Sequence, residues 1–396
     1  MSLPLAMVID DDSSTALGIV RSLGQLGIPI IVGSHNKFGR ACISRYSTHY
    51  FTYPKEETSI QERHLAIINR VKEWRPAVLM PIFEGAWSII YTFYSEYSRL
   101  TTIVPNPGRE LFDSLRNKSC LVDFAQEHAV PIPETFRPTS KEEALALRNQ
   151  LPYPVLLKPK VGAAGYKIQR VNNAFEFSEA LNQYQNIPII QERIEGEDLE
   201  LTILCVNGEP IAGSTYMSLR NYPPPFGPPV ACRTIINDKL MLTGMEFLKK
   251  LKYNGPAHLD FRRDQRDGQV KLLDFNPRLA GTNCISICSG VNFPLILYRL
   301  ALGEKIEPCF IYKEGVEYRW LQDIRLLVRT KNKSKIIKEL LQWIFHRDHV
   351  FTEFSPADPL PHLIILNNLF KKLIRERKFW EKKYKNILFQ VDRSEL

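Results

Sequence analysis

The chain has 396 residues, of which 44% are hydrophobic and 24% charged, with a formal net charge of +9. That length exceeds one ordinary core and implies two or three packed domains, and the composition is that of a globular chain rather than a disordered one. No run of about twenty apolar residues marks a spanning helix, the start MSLPLAMVIDDD lacks a secretory pattern, and no nucleic-acid motif accompanies the basic balance, so a cytoplasmic protein that does not act on nucleic acid is expected.

Residues 1–106 alternate strand and helix signals. LAMVI reads as a short buried strand. Ser13 or Ser14 can cap a helix whose apolar positions are Ala16, Ile19, Val20, Leu23 and Leu26. Gly27 ends it and IPIIV follows as a second strand. A further cycle runs through a helix at 60–74 and the strand AVLMP at 77–81, a βαβ pattern that predicts a Rossmann-like parallel sheet. The first strand ends in Asp10-Asp11-Asp12 instead of G-x-G-x-x-G. Acidic residues there are hostile to a dinucleotide pyrophosphate, which argues against a nicotinamide enzyme.

Residues 107–303 read as a second domain. They begin with helices broken at Pro131, Pro133 and Pro138 and continue as an α+β region dominated by strands from 151 to 280. Within it, residues 152–193 form a candidate lid. Residues 304–396 read as a basic, mainly helical extension. Near its end Leu366, Leu369, Phe370, Leu373 and Ile374 make an apolar stripe among lysines and arginines. Such a helix can lie on a membrane surface or pack on a neighbouring domain. The seven cysteines are scattered without C-x-x-C pairs, so neither a disulfide framework nor a zinc site is expected.

Three segments carry chemistry. The strands AHLDFRRD (257–264) and QVKLLDFN (269–276) flank Arg266-Asp267-Gly268, which suits a three-residue hairpin loop with glycine at its left-handed position. In that register Asp260 faces Asp274, Asn276 shares their face, and Arg278 follows. Carboxylates facing each other across strands repel. A divalent cation removes the repulsion, and these oxygens suit Mg²⁺. Two solvated surface aspartates are the alternative, and a one-residue slip would turn one acid to the other face. Second, Lys158 ends the apolar strand VLLK, where a lysine is costly unless it meets an anion. The small residues Gly162, Ala163, Ala164 and Gly165 after it let backbone N–H groups approach a phosphate. The spacing is not that of a P-loop. Third, PIIQE runs into Glu192-Arg193-Ile194 and a second strand. Such a hinge can pair with an adenine edge, with Asp198 and Glu200 projecting on one face towards a ribose; an exposed charged turn is the alternative.

In order, the chain shows Asn117-Lys118, VLLKP (155–159), the small-residue loop 162–165, QERIEGE (191–197), GPAHLDF (255–261) and LDFNPR (273–278). This ordered set resembles the ATP-grasp superfamily, which includes biotin carboxylase, carbamoyl phosphate synthetase and D-alanine–D-alanine ligase. The resemblance implies an ATP-grasp fold, with two α+β subdomains clamping ATP behind a parallel-sheet domain. It implies that Lys118 and Lys158 contact the ATP phosphates and that the 162–165 loop closes over them. Glu192 and the Arg193–Ile194 backbone would hold adenine, and Asp198 or Glu200 the ribose. Asp260, Asp274 and Asn276 would bind Mg²⁺ or Mn²⁺, and Arg278 would stabilise the transferring phosphoryl group. Family members more often have Glu than Asp at position 274. SLRNYPPPFG (218–227), GVEYRW (315–320) and DPLP (358–361) further resemble a bacterial subgroup of carboxylate–amine ligases, some of them linked to cell-surface polysaccharide or cell-wall metabolism; there Arg220 and Arg233 would meet substrate. The expected activity is ATP-dependent coupling of a carboxylate to an amine through an acyl phosphate, with a homodimer through the N-terminal domain as the candidate assembly. A bicarbonate-using carboxylase and a non-catalytic ATP-binding regulator are the alternatives.

Overall fold

Short apolar runs separated by amphipathic stretches give the N-terminal hundred residues their parallel sheet. The computed structural model describes residues 3–9, 12–162, 165, 167–323, 334, 338 and 350–367. These fall into two units, one of Met1–Thr102, Val230–Cys232 and Gly315–Leu396, the other of Ile103–Pro229 and Arg233–Glu314.

The first unit opens with β1 (Ala6–Ile9), α1 (Ser14–Gly24), β2 (Ile30–Ser34), β3 (His49–Thr52), α2 (Ile60–Trp74), β4 (Val78–Pro81), α3 (Glu84–Thr92), α4 (Tyr94–Ser98) and β5 (Thr102–Ile103). The sheet order is β3-β2-β1-β4-β5, with parallel pairs β1–β2, β1–β4 and β2–β3. All four residues of β1 are buried, as a central strand covered on both faces requires. The Ser13 hydroxyl accepts from the Ala16 N–H at 3.0 Å and starts α1.

The second unit begins with α5 (Arg109–Arg116) and α6 (Lys118–Glu127). A small antiparallel sheet follows, built from β6 (Thr135–Phe136), β7 (Val155–Lys158), β8 (Gln169–Val171) and β9 (Ile189–Glu192) in the order β6-β9-β7-β8. Its helices α7 (Lys141–Leu147) and α8 (Ala174–Leu181) supply Ala144, Phe177 and Leu181 to a core that includes Val155, Leu157 and Ile190. Alternation along β7 therefore turns Leu156 and Lys158 to the opposite face.

The larger sheet contains β10 (Gly196–Val206), β11 (Glu209–Asn221), β12 (Pro229–Ile235, of which Val230–Cys232 falls in the first unit), β13 (Gly255–Asp264) and β14 (Val270–Asn276), with α9 (Asp238–Lys250) between β12 and β13. Their order is β14-β13-β10-β11-β12. One face is apolar: Leu199, Leu201, Ile203, Ala257, Leu259, Phe261 and Phe275 pack with Leu240, Phe247 and Leu248 of α9. The period of two then gives the other face Asp198, Glu200 and Thr202 from β10, and His258, Asp260 and Arg262 from β13. Helices α10 (Asn283–Ser289) and α11 (Phe293–Ala301) follow.

The chain then returns to the first unit. There β15 (Glu317–Arg319) pairs in parallel with β16 (Val350–Thr352), and residues 360–367 are helical. The described part of the extension is thus not wholly helical, because three-residue strands leave no period for the sequence to reveal. Asp358 is sealed in this unit, 1% exposed, by the Arg21 guanidinium at 2.8 Å, the Ser44 hydroxyl at 2.8 Å and the Arg45 N–H at 2.9 Å. Those ion-pair and N–H contacts hold its carboxyl below the usual range against the effect of burial. Two segments far apart in sequence, residues 44–46 and the DPLP motif (358–361), are one contact in space. Of the apolar stripe, Leu366 is exposed, whereas Leu369, Phe370, Leu373 and Ile374 lie outside the described residues. No single helix among the described residues is long and apolar enough to cross a membrane.

Candidate active site

The acidic face of the large sheet is set by register. Glu200 of β10 lies opposite Asp260 of β13, and Asp260 lies opposite Asp274 of β14, so three carboxylates share one row across three strands. Thr202, His258 and Asn276 form the next row. The facing of Asp260 and Asp274 agrees with the sequence reading, but the route to it differs. The turn is one residue longer than expected: the Asp264 N–H donates to the Gln269 carbonyl and the Gly268 N–H to the Asp264 carbonyl, enclosing residues 265–268. Past the turn Arg263 therefore pairs with Val270, and the register shifts between Asp260 and Phe261 through a β-bulge. The extra residue restores the acids to one face. Gly268 has φ +70, the left-handed position assigned to it.

Charge neighbours define this row. Burial first, and then the Glu200 and Asp274 carboxylates, push the Asp260 carboxyl up to about 7, against the opposing pull of His258 and Arg278. The Asn276 amide is 3.3 Å from Asp260 Oδ2, and its own oxygen accepts from the buried Arg278 at 3.1 Å. Arg278 also donates to the Leu279 carbonyl at 2.9 Å, which fixes its fork beside the acids.

Both lysines arrive at this row. Lys118 begins α6, where Asn117 caps the helix; its Nζ donates to Asp274 Oδ1 at 2.9 Å and lies 3.4 Å from the Gly162 carbonyl. Lys158, on the face of β7 away from the core, donates to Gln191 Oε1 at 2.6 Å. Burial, and then the neighbouring Lys118 cation, lower the Lys158 amine to about 8, although Asp274 and Asp260 favour its charged form. Gln191 is itself held by Thr135 at 2.9 Å.

Of the small-residue loop, Gly162 and Gly165 are described, and Ala163 and Ala164 lie outside the described residues. Gly165 has φ +71, and a Cβ there would meet the Phe226 carbonyl oxygen at 2.0 Å. Gly165 therefore sits directly against Phe226 of the proline-rich segment 218–227.

The hinge residues are more engaged than their sequence suggested. Glu192 accepts from the Glu134 N–H at 3.0 Å and from Arg266 at 2.8 Å, with Lys271 at 3.4 Å. Those contacts hold its carboxyl below its ordinary value despite burial. Asp264, fully buried, ties Lys271 at 2.8 Å and Arg266 at 2.6 Å into the same network. The Arg193 N–H donates to the Pro154 carbonyl at 3.0 Å, and the Ile194 carbonyl accepts from Arg262 at 3.1 Å. Asp198 is clamped by Arg262 at 2.6 Å and by Asn221 at 3.1 Å. Glu200 turns inward, to Ser218 and to His258. Arg220, next to last in β11, is half-buried, and Arg233 is exposed on β12.

His258, Gln191, Arg262, Lys271 and Asp264 escaped the sequence reading. The signals for His258 and Arg262 were present, because each lies two residues from Asp260 and so shares its face. The others are visible only once β6 to β9 and β13 to β14 are placed.

Two family models match the chain. One described as "ATP-grasp domain" covers residues 115–218, and one described as "ATP-grasp in the biosynthetic pathway with Ter operon" covers residues 233–324. The two spans contain every residue of the acidic row and both lysines. This is an ATP-grasp protein.

The chain is similar to a D-aspartate ligase from Enterococcus faecium, 28% identical over 221 residues that cover 48% of this chain and 50% of that one. It is also similar to an alpha-aminoadipate–LysW ligase from Sulfurisphaera tokodaii, 24% identical over 215 residues, 52% of this chain and 70% of that one. The ATP-grasp chain thus spans about half the length of the enterococcal relative. Among solved structures, biotin carboxylase from Campylobacter jejuni superposes with a TM-score of 0.66 at 16% identity, over 79% of this chain and 74% of that one. An L-amino acid ligase from Bacillus licheniformis gives 0.60 at 18% identity, over 77% and 76%. These likenesses establish the ATP-grasp fold expected from the sequence.

Proposed function

We propose that this ATP-grasp protein is an ATP- and Mg²⁺-dependent ligase that phosphorylates a carboxylate and couples it to an amine. The observation that carries the reading is the row Glu200–Asp260–Asp274 with Lys118 bonded to its outer acid. Like-charged carboxylates in one row are unfavourable on their own, and after burial they help raise the Asp260 carboxyl to about 7. A divalent cation held by Asp260, Asp274 and Asn276 would relieve it, and the donor set is the all-oxygen one Mg²⁺ takes. When bound, that ion would neutralise charge on the transferred phosphoryl group. The chain's residues do the rest. Lys118 and Lys158 bind triphosphate oxygens, Arg278 offsets charge at the reacting carboxylate, and the 162–165 loop excludes water. The charge network around Glu192 fixes the hinge; the Arg193 N–H and the Ile194 carbonyl are taken up within the protein, so the Ile194 N–H is the backbone group that would read adenine. No side-chain nucleophile is needed, since the acid attacks the γ-phosphorus and the amine displaces phosphate.

The names of the relatives, a D-aspartate ligase and an aminoadipate ligase, favour the amine acceptor over bicarbonate. The test is ADP release from Mg·ATP across a matrix of amino acids as acids and amines, with mass detection of the amide. Release that needs both partners, and that Asp274→Ala abolishes without unfolding the chain, is the expected result. ADP release driven by bicarbonate alone, or unchanged turnover in Asp274→Ala, would overturn the proposal.

A further inference from the structure

The polar face of the large sheet holds a second ligand set beside the row of acids. His258 Nε2 lies 3.0 Å from Glu200 Oε2 and 3.3 Å from Asp260 Oδ1. One ligand atom from each of the three residues falls within 4.8 Å of the others. A single N–H on Nε2 can satisfy only one of the two carboxylates well, so as protein alone the centre pairs one proton with two converging anionic oxygens.

Those spacings are the ones a small divalent ion imposes. Ligands bound at about 2.1 Å stand about 3.0 Å apart along an octahedral edge and about 3.4 Å apart along a tetrahedral one. The two carboxylate–imidazole distances fit that range. The arms are also braced. The Ser218 hydroxyl donates to Glu200 Oε1 at 2.5 Å, Thr282 Oγ1 lies 3.5 Å from Oε2, and Thr282 is bonded to the Tyr216 hydroxyl at 2.5 Å. The His258 ring stacks parallel to Tyr216, 3° between planes. Such outer contacts are what orient metal ligands. Glu200 and His258 side chains are 5% and 9% exposed, whereas Asp260 is 35% exposed, so the set is closed on two sides and open on the third.

We propose that Glu200, His258 and Asp260 bind a divalent transition-metal ion, of which Mn²⁺ is the probe of choice, as a site separate from the Asp260–Asp274–Asn276 set. The imidazole nitrogen selects such an ion over Mg²⁺, which prefers oxygen ligands only. Asp260 serves both sites, offering Oδ1 to this ion and Oδ2 on the side of Asn276. Water or an anionic ligand completes the shell on the exposed side. The site does not depend on the ligase reading, although the two share Asp260.

The experiment is titration of the full chain, freed of metal with a chelator, with Mn²⁺ in the absence of nucleotide, followed by pulsed EPR. The expected result is one ion per chain with modulation from a single directly bound ¹⁴N. His258→Gln should remove that modulation and weaken binding at least tenfold, and Glu200→Gln should weaken it while keeping the nitrogen signal. Asp274→Asn should leave both unchanged. No Mn²⁺ binding below millimolar concentration, or bound Mn²⁺ without nitrogen modulation in the unmodified protein, overturns the proposal whether or not the variants fold. So does loss of binding in Asp274→Asn with retention in His258→Gln, which would assign the ion to the nucleotide site. None of these outcomes bears on amide formation, so the ligase reading stands or falls separately.

Discussion

Lys158→Met separates what Lys158 does for the fold from what it does for the nucleotide. The lysine is buried and its amine is held at about 8 instead of 10.5, chiefly by burial and then by Lys118. Keeping it charged at neutral pH therefore costs the fold about 3 kcal/mol, at about 1.4 kcal/mol per tenfold in the proton equilibrium. Methionine retains the packed stem and removes the charge. It also leaves Gln191 Oε1 without its donor, which costs about 1 kcal/mol or a little more. The variant should thus be more stable than the parent by about 1–2 kcal/mol at pH 7. The sign with pH follows from the lowered amine. Between about 8 and 10.5 the folded chain has released a proton that the unfolded chain still binds, so the parent gains stability as pH rises. The advantage of the variant should shrink by about 1.4 kcal/mol per pH unit across that window. Urea unfolding of both proteins at pH 7, 8, 9 and 10 measures it, and ATP should raise the melting temperature of the parent only. A variant less stable than the parent at pH 7, or a difference that does not change up to pH 10, would refute the buried-charge argument.

Three further outcomes are expected. Gly165→Ala places a Cβ 2.0 Å from the Phe226 carbonyl at φ +71; it should cost on the order of 1–3 kcal/mol in local strain and appear as weaker ATP binding, measured by calorimetry, with little change in overall melting. Asp264→Ala leaves the buried Lys271 without its closest carboxylate and should destabilise the chain by about 3 kcal/mol in denaturant unfolding, with Lys271→Met on the same background recovering part of the loss. Asp358→Asn removes the clamp on Arg21. Because the folded carboxyl titrates below its ordinary 3.8, its contribution is present above that pH and lost as pH falls further. Acid unfolding curves of parent and variant should therefore separate by about 3 kcal/mol at neutrality and draw together as pH falls below 3.8.

The elements that positioned the site were legible wherever a period was long enough to read. The run from Ser13 to Gly27, the helix at 60–74 and the alternating strands at 257–264 and 269–276 each carry several repeats of their period. β12, β15 and β16 do not stand out in that way, and the last two, at three residues each, are too short to carry a period. The hairpin at Gly268 shows the limit in detail. Its residues identified a turn with a left-handed glycine, but its length was misread by one, and the same facing of Asp260 and Asp274 arose through a bulge. Neither a turn length nor a bulge has a fixed spelling, because both depend on which register the buried face favours.

The sequence by itself determined that a polar row exists, since alternation alone puts His258 with Asp260 and Asp274 with Asn276 on one face of their strands. It also determined that Lys158, at the end of an apolar strand, needs an anion, whereas Lys118 was marked only by the family resemblance. Tertiary structure decided which groups meet. Only the packed sheet brings Glu200 against His258, Lys118 against Asp274, and Glu192 into the Asp264–Lys271–Arg266 network. The reason is physical. Facing along one strand is a property of the covalent chain, whereas contact between strands tens of residues apart is set by how the apolar faces pack.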